Sequence, residues 1–159
     1  MDVRRAALNY ILKTQWGSPL CVTLTEKQCV DGVWIDSIRS SRNARHFLNV
    51  LNNEVYGNSY RRFGKRVRLL LVQETSGSGR HHLHGVFDIP VDRDPTQFKL
   101  QIEKAWRSSR YGHREIRLEV PTGDQNVSGY LSYIMKDRTK LFGLCDAVDW
   151  ENSSVLEPC

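Results

Sequence analysis

No apolar run in the chain approaches the roughly 18 residues that a membrane-spanning helix needs, so neither a span nor a membrane partner is expected. Cysteine is sparse and scattered: Cys21, Cys29, Cys145 and Cys159 form no CxxC pair. That spacing argues against a structural zinc site and favours reduced thiols over a disulfide framework. Neither GKRVR nor TSGSGR completes a phosphate-binding G-x-x-x-x-G-K-[ST] loop, which removes an ATPase of that type. The opening MDVRRAALNYILKTQW is broken by charge and lacks a small-residue cleavage site, against a signal peptide. No internal repeat or low-complexity tract appears.

What is present is ordinary for a globular domain: 159 residues, 40% hydrophobic and 26% charged. One domain over residues 1–159 is expected, with a core at about 19–138 and an acidic stretch at 139–159 as tail or cover. Net charge is +5 with a pI near 9.2, a weak pointer to an anionic partner. Its distribution is more informative. YRRFGKRVR carries Arg61, Arg62, Lys65, Arg66 and Arg68 around Tyr60 and Phe63, and WRSSRYGHR sets Arg107 and Arg110 among Trp106 and Tyr111. Cations neutralise phosphates and aromatic faces stack on unpaired bases, a mixture suited to single-stranded nucleic acid. Two solvated loops would show the same composition.

The periodicities predict alternating elements. Residues 3–14 read as a short helix and PLCVTLTEK as a strand, followed by a small hairpin at 28–35 turning on Asp31-Gly32. Residues 41–56 place Ala44, Phe47, Leu48, Leu51 and Val55 at helical spacing, with Gly57 as the stop. VRLLLVQE (67–74) is β-like, and the loop TSGSGRH returns the chain as a second strand running to Ile89. Asp94, Pro95 and Gln97 open a helix with Phe98, Ile102, Ala105 and Trp106 on one face. REIRLEV (114–120) alternates, with Ile116, Leu118 and Val120 inward and charges outward, and a last helix is expected over about 124–137. The fold class is thus α+β: a ferredoxin-like, split βαβ antiparallel sheet with helices on one face and an added C-terminal helix.

Chemistry concentrates in ETSGSGRHHLHGVFDIP, residues 74–90, which hold three of the five histidines. On a strand His82 and His84 share a face, His81 faces away, and Glu74 ends the neighbouring strand. Two neutral imidazoles and a carboxylate leave coordination positions open for phosphate oxygens and water, which suits Mg²⁺ or Mn²⁺ better than a closed zinc site. On the last helix Tyr133 and Lys136 are spaced YxxK, with Tyr130 nearer the apolar stripe. A tyrosine oxygen attacks phosphorus when a cation stabilises its anion. Each pattern alone also fits surface histidines, a packing tyrosine and a solvated lysine.

Taken in order, E-x7-HLH followed by YxxK on a late helix resembles the HUH endonucleases. Within them it looks most like rolling-circle replication initiators (Rep proteins) of small phages, plasmids and single-stranded-DNA viruses. CVTLT at 21–25 is similar to the first motif of that family, and the likeness spans residues 20–138. It implies a metal-dependent nickase and joining enzyme acting on single-stranded DNA or an origin hairpin. Glu74, His82 and His84 would hold Mg²⁺ or Mn²⁺, Tyr133 would form a 5′-phosphotyrosine and free a 3′-OH, and Lys136 would orient the phosphate. Tyr130 stays a second candidate, so one- and two-tyrosine mechanisms are both open. The seven basic residues Arg61, Arg62, Lys65, Arg66, Arg68, Arg107 and Arg110 would bind DNA. No helicase segment is present in this sequence, so a host helicase and polymerase are expected partners. The location would be the host cytoplasm for a phage or plasmid protein and the nucleus for a eukaryotic virus. An HUH transposase or relaxase would use the same chemistry. A non-catalytic single-stranded nucleic-acid-binding module is the reading from a different class.

Overall fold

The computed structural model describes residues 3–122, 126–135 and 147–155. Helix α1 (Val3–Lys13) leads into strand β1 (Pro19–Glu26). A two-stranded ribbon follows, β2 (Cys29–Val30) and β3 (Val33–Trp34), joined by Asp31 and Gly32 with φ of 51° and 76°. Two positive φ values match the twist of a tight hairpin, and glycine supplies the second without steric cost. Helix α2 (Ser37–Tyr56) begins four residues before the expected start at 41, because the Asp36 carboxylate accepts from Arg39 N and caps it. Gly57 ends it, its N–H donating to Asn53 O at 2.9 Å.

The basic stretch after Gly57 holds a short helix, α3 (Asn58–Phe63), where the sequence suggested loop. Strands β4 (Leu69–Thr75) and β5 (His81–Asp88) form the expected antiparallel pair, β5 beginning two residues earlier than its apolar run. Helix α4 (Pro95–Ser108) has the anticipated Asp94 cap, with Oδ2 accepting from Gln97 N at 2.9 Å. Strand β6 (Gly112–Glu119) and helix α5 (Val127–Ile134) complete the order. The flanks expected for the last helix, residues 124–125 and 136–137, lie outside the described residues.

The main sheet runs β4-β5-β1-β6 and every neighbouring pair is antiparallel. This is an α+β architecture, compatible with the split βαβ expectation. The helices do not share one face, however. On one side α2 and α4 bury Phe47, Leu51, Phe98, Ile102 and Trp106 against Leu20, Val22, Leu24, Leu71, Leu83 and Phe87. Trp106 meets Phe47 edge-on at 5.3 Å, a favoured aromatic geometry. On the other side α1 and α5 place Ile11, Leu131 and Ile134 over Leu70, Val72 and Val86. Strand alternation explains the division, since β4 and β5 carry apolar side chains on both faces. The element order of a split βαβ unit implies helices on one face only, and the terminal helices α1 and α5 add the second layer.

Two local details fix the register. A Cβ on Gly112 would lie 1.9 Å from Trp106 O, so only glycine lets β6 start against the end of α4. Val120, expected inward, lies beyond β6 and is exposed; Ile116 and Leu118 pack on the core as anticipated. The acidic stretch is a cover over its described part. Val148 bridges Val72, Asp149 N donates to Leu71 O at 3.0 Å, and Ser154 N donates to Leu69 O at 2.9 Å. Ser153 and Ser154 hydroxyls take the N–H groups of Leu71 and Leu69 in return. The open edge of β4 is thereby satisfied instead of being left to pair with another chain.

Candidate active site

On the second sheet face the described residues frame a cleft of about 880 Å³. Its floor comes from alternate residues of β1 and β5: Cys21, Thr23 and Thr25 beside His82 and His84. Its walls are Ile116, Arg117 and Glu119 of β6 and Gly129, Tyr130 and Tyr133 of α5. Strand pairing sets this up directly. Thr23 lies opposite His84, Thr25 opposite His82, and Glu74 opposite His82 on the other flank.

The two histidine rings tilt at 34° with centroids 6.2 Å apart. Thr23 Oγ1 is 3.1 Å from His84 Nδ1, and Thr25 Oγ1 is 3.3 Å from His82 Nδ1. Glu74 Oε2 lies 2.7 Å from His84 Nε2, with both side chains largely buried. Burial lowers the basicity of His82, and neighbouring His84 and Arg80 lower it further, which favours the neutral ring. His81 points away, its backbone N–H taken by Gln28 Oε1 at 3.1 Å, and it does not line the cleft.

The donor chemistry of this group suits a hard divalent cation: two neutral imidazoles and a carboxylate on adjacent strands. Among the described residues no set of three or more His, Cys, Asp or Glu side chains is drawn into a cation-holding geometry. Glu74 and His84 instead close on each other. A cation held by all three would have to replace the Glu74–His84 contact, with His82 on the same face.

The tyrosines of α5 differ sharply. Tyr130 donates its hydroxyl to Val22 O at 2.7 Å, and burial pushes its pKa up to about 12. It is a packing group that forms the back of the cleft. Tyr133 is 58% exposed and lines the same cleft as His82 and His84. Asn126 caps this helix, its Oδ1 accepting from Gly129 N at 2.7 Å, while Leu131 and Ile134 anchor it in the second core. Lys136 lies outside the described residues. Cys21 is buried at the floor, its thiol pushed up to about 11 by burial and by Glu119, and is an inert wall.

The basic residues fall at two ends of the sheet. Arg107 and Arg110 lie at the end of α4, where Trp106 Nε1 donates to Thr25 O at 3.2 Å, so they stand at the His82 end. Arg107 pairs with Glu103 at 3.5 Å and Arg110 with Asp31 at 3.5 Å. Arg61, Arg62, Lys65, Arg66 and Arg68 precede Leu69 at the other end of β4. At about 3.3 Å per residue, Leu69 lies roughly 10 Å along β4 from Val72, the partner of His84, and roughly 17 Å from Glu74, the partner of His82. Arg68 stacks 5.3 Å from the Trp16 ring and lies 3.7 Å from Asp88, a partly structural role.

Two groups in the cleft were not singled out by sequence. Thr23 and Thr25 were noted only as part of a strand motif, although their two-residue spacing matches that of His82 and His84. Arg117 and Glu119 were read as outward charges. They do point away from the main core, but they face the cleft, paired at 2.8 Å. The Glu119 carboxylate strengthens the hold of Arg117 on its proton. Set against known proteins, the chain matches no family model, no curated protein and no solved structure.

Proposed function

We propose that the protein is a metal-dependent endonuclease that nicks single-stranded DNA through Tyr133 and rejoins ends by the reverse reaction, as a replication initiator would. The observation that supports it best is the shared cleft: an exposed tyrosine on one wall and two register-matched imidazoles on the floor, with Glu74 set against His84. The ferredoxin-like, HUH-type reading of the sheet, with α5 as the helix carrying the nucleophile, belongs to the same proposal.

In this reading Tyr133 Oη attacks the scissile phosphorus. A tyrosine–phosphate bond to the 5′ side forms, the P–O3′ bond breaks, and the 3′ oxygen leaves as a hydroxyl after taking up a proton. The tyrosine proton passes to solvent. Glu74, His82 and His84 would hold a divalent cation, which when bound would polarise the phosphoryl oxygens and offset their charge. Arg117, which lines the same cleft, would offset phosphate charge. Lys136 would add a second cation there. Tyr130 holds α5 on β1, which favours a one-tyrosine mechanism. Arg107 and Arg110 would guide the strand at the cleft, and the basic cluster from Arg61 to Arg68 would hold more distant phosphates. A host helicase and polymerase would serve the freed 3′-OH. A transposase or relaxase would place the same groups on a different DNA.

The test uses labelled single-stranded oligonucleotides that tile the replicon encoding the chain. A covalent protein–DNA adduct should form with Mn²⁺ or Mg²⁺, vanish with chelator, and be absent from Tyr133→Phe. An adduct that persists in Tyr133→Phe but is lost in Tyr130→Phe assigns the nucleophile to the other tyrosine. Metal-independent binding with no adduct on any strand would favour the non-catalytic module.

A further inference from the structure

We propose that Thr23 and Thr25 are positioning residues for the imidazole pair, each hydroxyl holding one ring by Nδ1 and leaving Nε2 as the ligating atom. The inference rests on the nuclease reading for its purpose, though not for its geometry. Thr23 and His84 are direct cross-strand partners, as are Thr25 and His82. Their hydroxyl-to-Nδ1 distances, 3.1 and 3.3 Å, are within hydrogen-bond reach. Spacings of two on both strands put both pairs on the cleft side at once. A one-residue slip would replace the threonines with Val22 and Leu24, or with Leu24 and Glu26, and leave neither ring held.

A hydroxyl is the right chemistry for this place because it both donates and accepts. In the neutral tautomer that places its proton on Nε2 toward Glu74, 2.7 Å away, Nδ1 is bare. Thr23 then donates to it. A cation on Nε2 requires the proton on Nδ1 instead, and Thr23 accepts. The ring charge is unchanged: one proton leaves Nε2 to water and one is taken up at Nδ1 from water. A carboxylate or a backbone carbonyl could serve only the second state. The branched Cβ of threonine restricts χ1, so the oxygen stays near the ring while its hydrogen turns. Groups that hold a ligand imidazole from behind commonly contribute about 10- to 100-fold in cation affinity.

Two readouts on the full chain test this. In metal-free protein labelled with ¹⁵N-histidine, the His84 Nδ1 resonance should move in Thr23→Val and that of His82 in Thr25→Val, each returning in the serine variant. Free Mn²⁺ followed by electron paramagnetic resonance should show affinity falling about tenfold or more in each valine variant. Serine should restore it while the thermal midpoint stays near that of the wild type. Valine variants with unmoved Nδ1 resonances and wild-type Mn²⁺ affinity overturn the proposal. Loss of affinity that serine does not restore also overturns it, since a hydroxyl would then not be the cause. Wild-type protein that takes up no Mn²⁺ sinks the nuclease reading, while the metal-free resonances still decide whether the threonines hold the rings.

Discussion

The two faces of the sheet are made from the same strands, yet they have different tasks. Leu83 and Phe87 point from β5 into the layer closed by α2 and α4, where Trp106, Phe47 and Phe98 are fully buried. His82 and His84, one residue away, point into a cleft that α5 closes only in part. A strand that is apolar on one face and polar for half of the other lets the first face supply rigidity and the second supply chemistry. The tyrosines of α5 repeat the contrast: Tyr130 is tied to Val22 and Tyr133 is presented to the cleft.

The comparison is broken most directly at adjacent residues of β5. Leu83→Ala should cost about 2–5 kcal/mol, because a fully buried leucine leaves a cavity between α2 and α4. His82→Ala should cost about 1 kcal/mol or less and abolish Mn²⁺-dependent adduct formation. Urea unfolding of both variants, read with the adduct assay, checks the pair. Equal destabilisation would mean that the cleft face is core after all.

The dry side also carries an exception. Glu26 is almost wholly buried at the end of β1, Ser40 Oγ donates to its Oε2 at 2.7 Å, and its Oε1 has no partner among the described residues. Burial raises its pKa from 4.5 to about 7, the serine bond offsets part of this, and Asp149 adds to it. The folded state therefore binds the proton more tightly than the unfolded chain. Stability should be greatest below about pH 4.5 as far as this group is concerned, fall as pH rises through 7, and level off above. The span corresponds to at most on the order of 3 kcal/mol. Glu26→Gln should remove that slope and stabilise the protein above pH 7, as measured by denaturant midpoints across a pH series. A slope that survives in Glu26→Gln would assign it to other groups.

Sequence made the elements on the dry side legible because burial there imposes periodicity: Phe47, Leu51, Phe98, Ile102 and Trp106 all fall where helical spacing puts them. The Asp94 cap and the Asp31-Gly32 turn were legible for local backbone reasons. The second helical layer was not, since Leu70, Val72 and Val86 sit in continuous apolar runs that do not declare which face is covered. His82, His84 and Glu74 could be placed on adjacent strands from spacing alone. That Thr23 and Thr25 stand behind them depends on the β1–β5 register, a long-range pairing no local pattern encodes. For the same reason the two basic stretches looked equivalent, although one lies at the His82 end of the sheet and the other at the far end of β4.

A smaller effect sharpens the contrast within α5. Tyr130→Phe removes the hydroxyl bond to Val22 O and should cost about 0.5–1.5 kcal/mol while leaving adduct formation intact. Tyr133→Phe should do the reverse, with stability within about 0.5 kcal/mol of wild type. Thermal unfolding alongside the adduct assay separates the two roles, and loss of adduct in both variants would show that they act together.

The smallest effects distinguish the two ends of the sheet. Arg107→Ala with Arg110→Ala, and separately Lys65→Ala with Arg66→Ala, should each change stability by about 0.5 kcal/mol or less, because all four side chains are exposed. Binding of a short single strand that spans only the cleft should weaken in the first pair and not in the second. Removing one cation from a phosphate lowers the slope of log affinity against log salt by about 0.7 for single strands, so the first pair should lower it by about 1.4. A longer strand or a hairpin stem that reaches across the roughly 17 Å of β4 should restore sensitivity to Lys65 and Arg66. Equal weakening on the short strand would place both clusters on one DNA path at the cleft and remove the distinction between the ends.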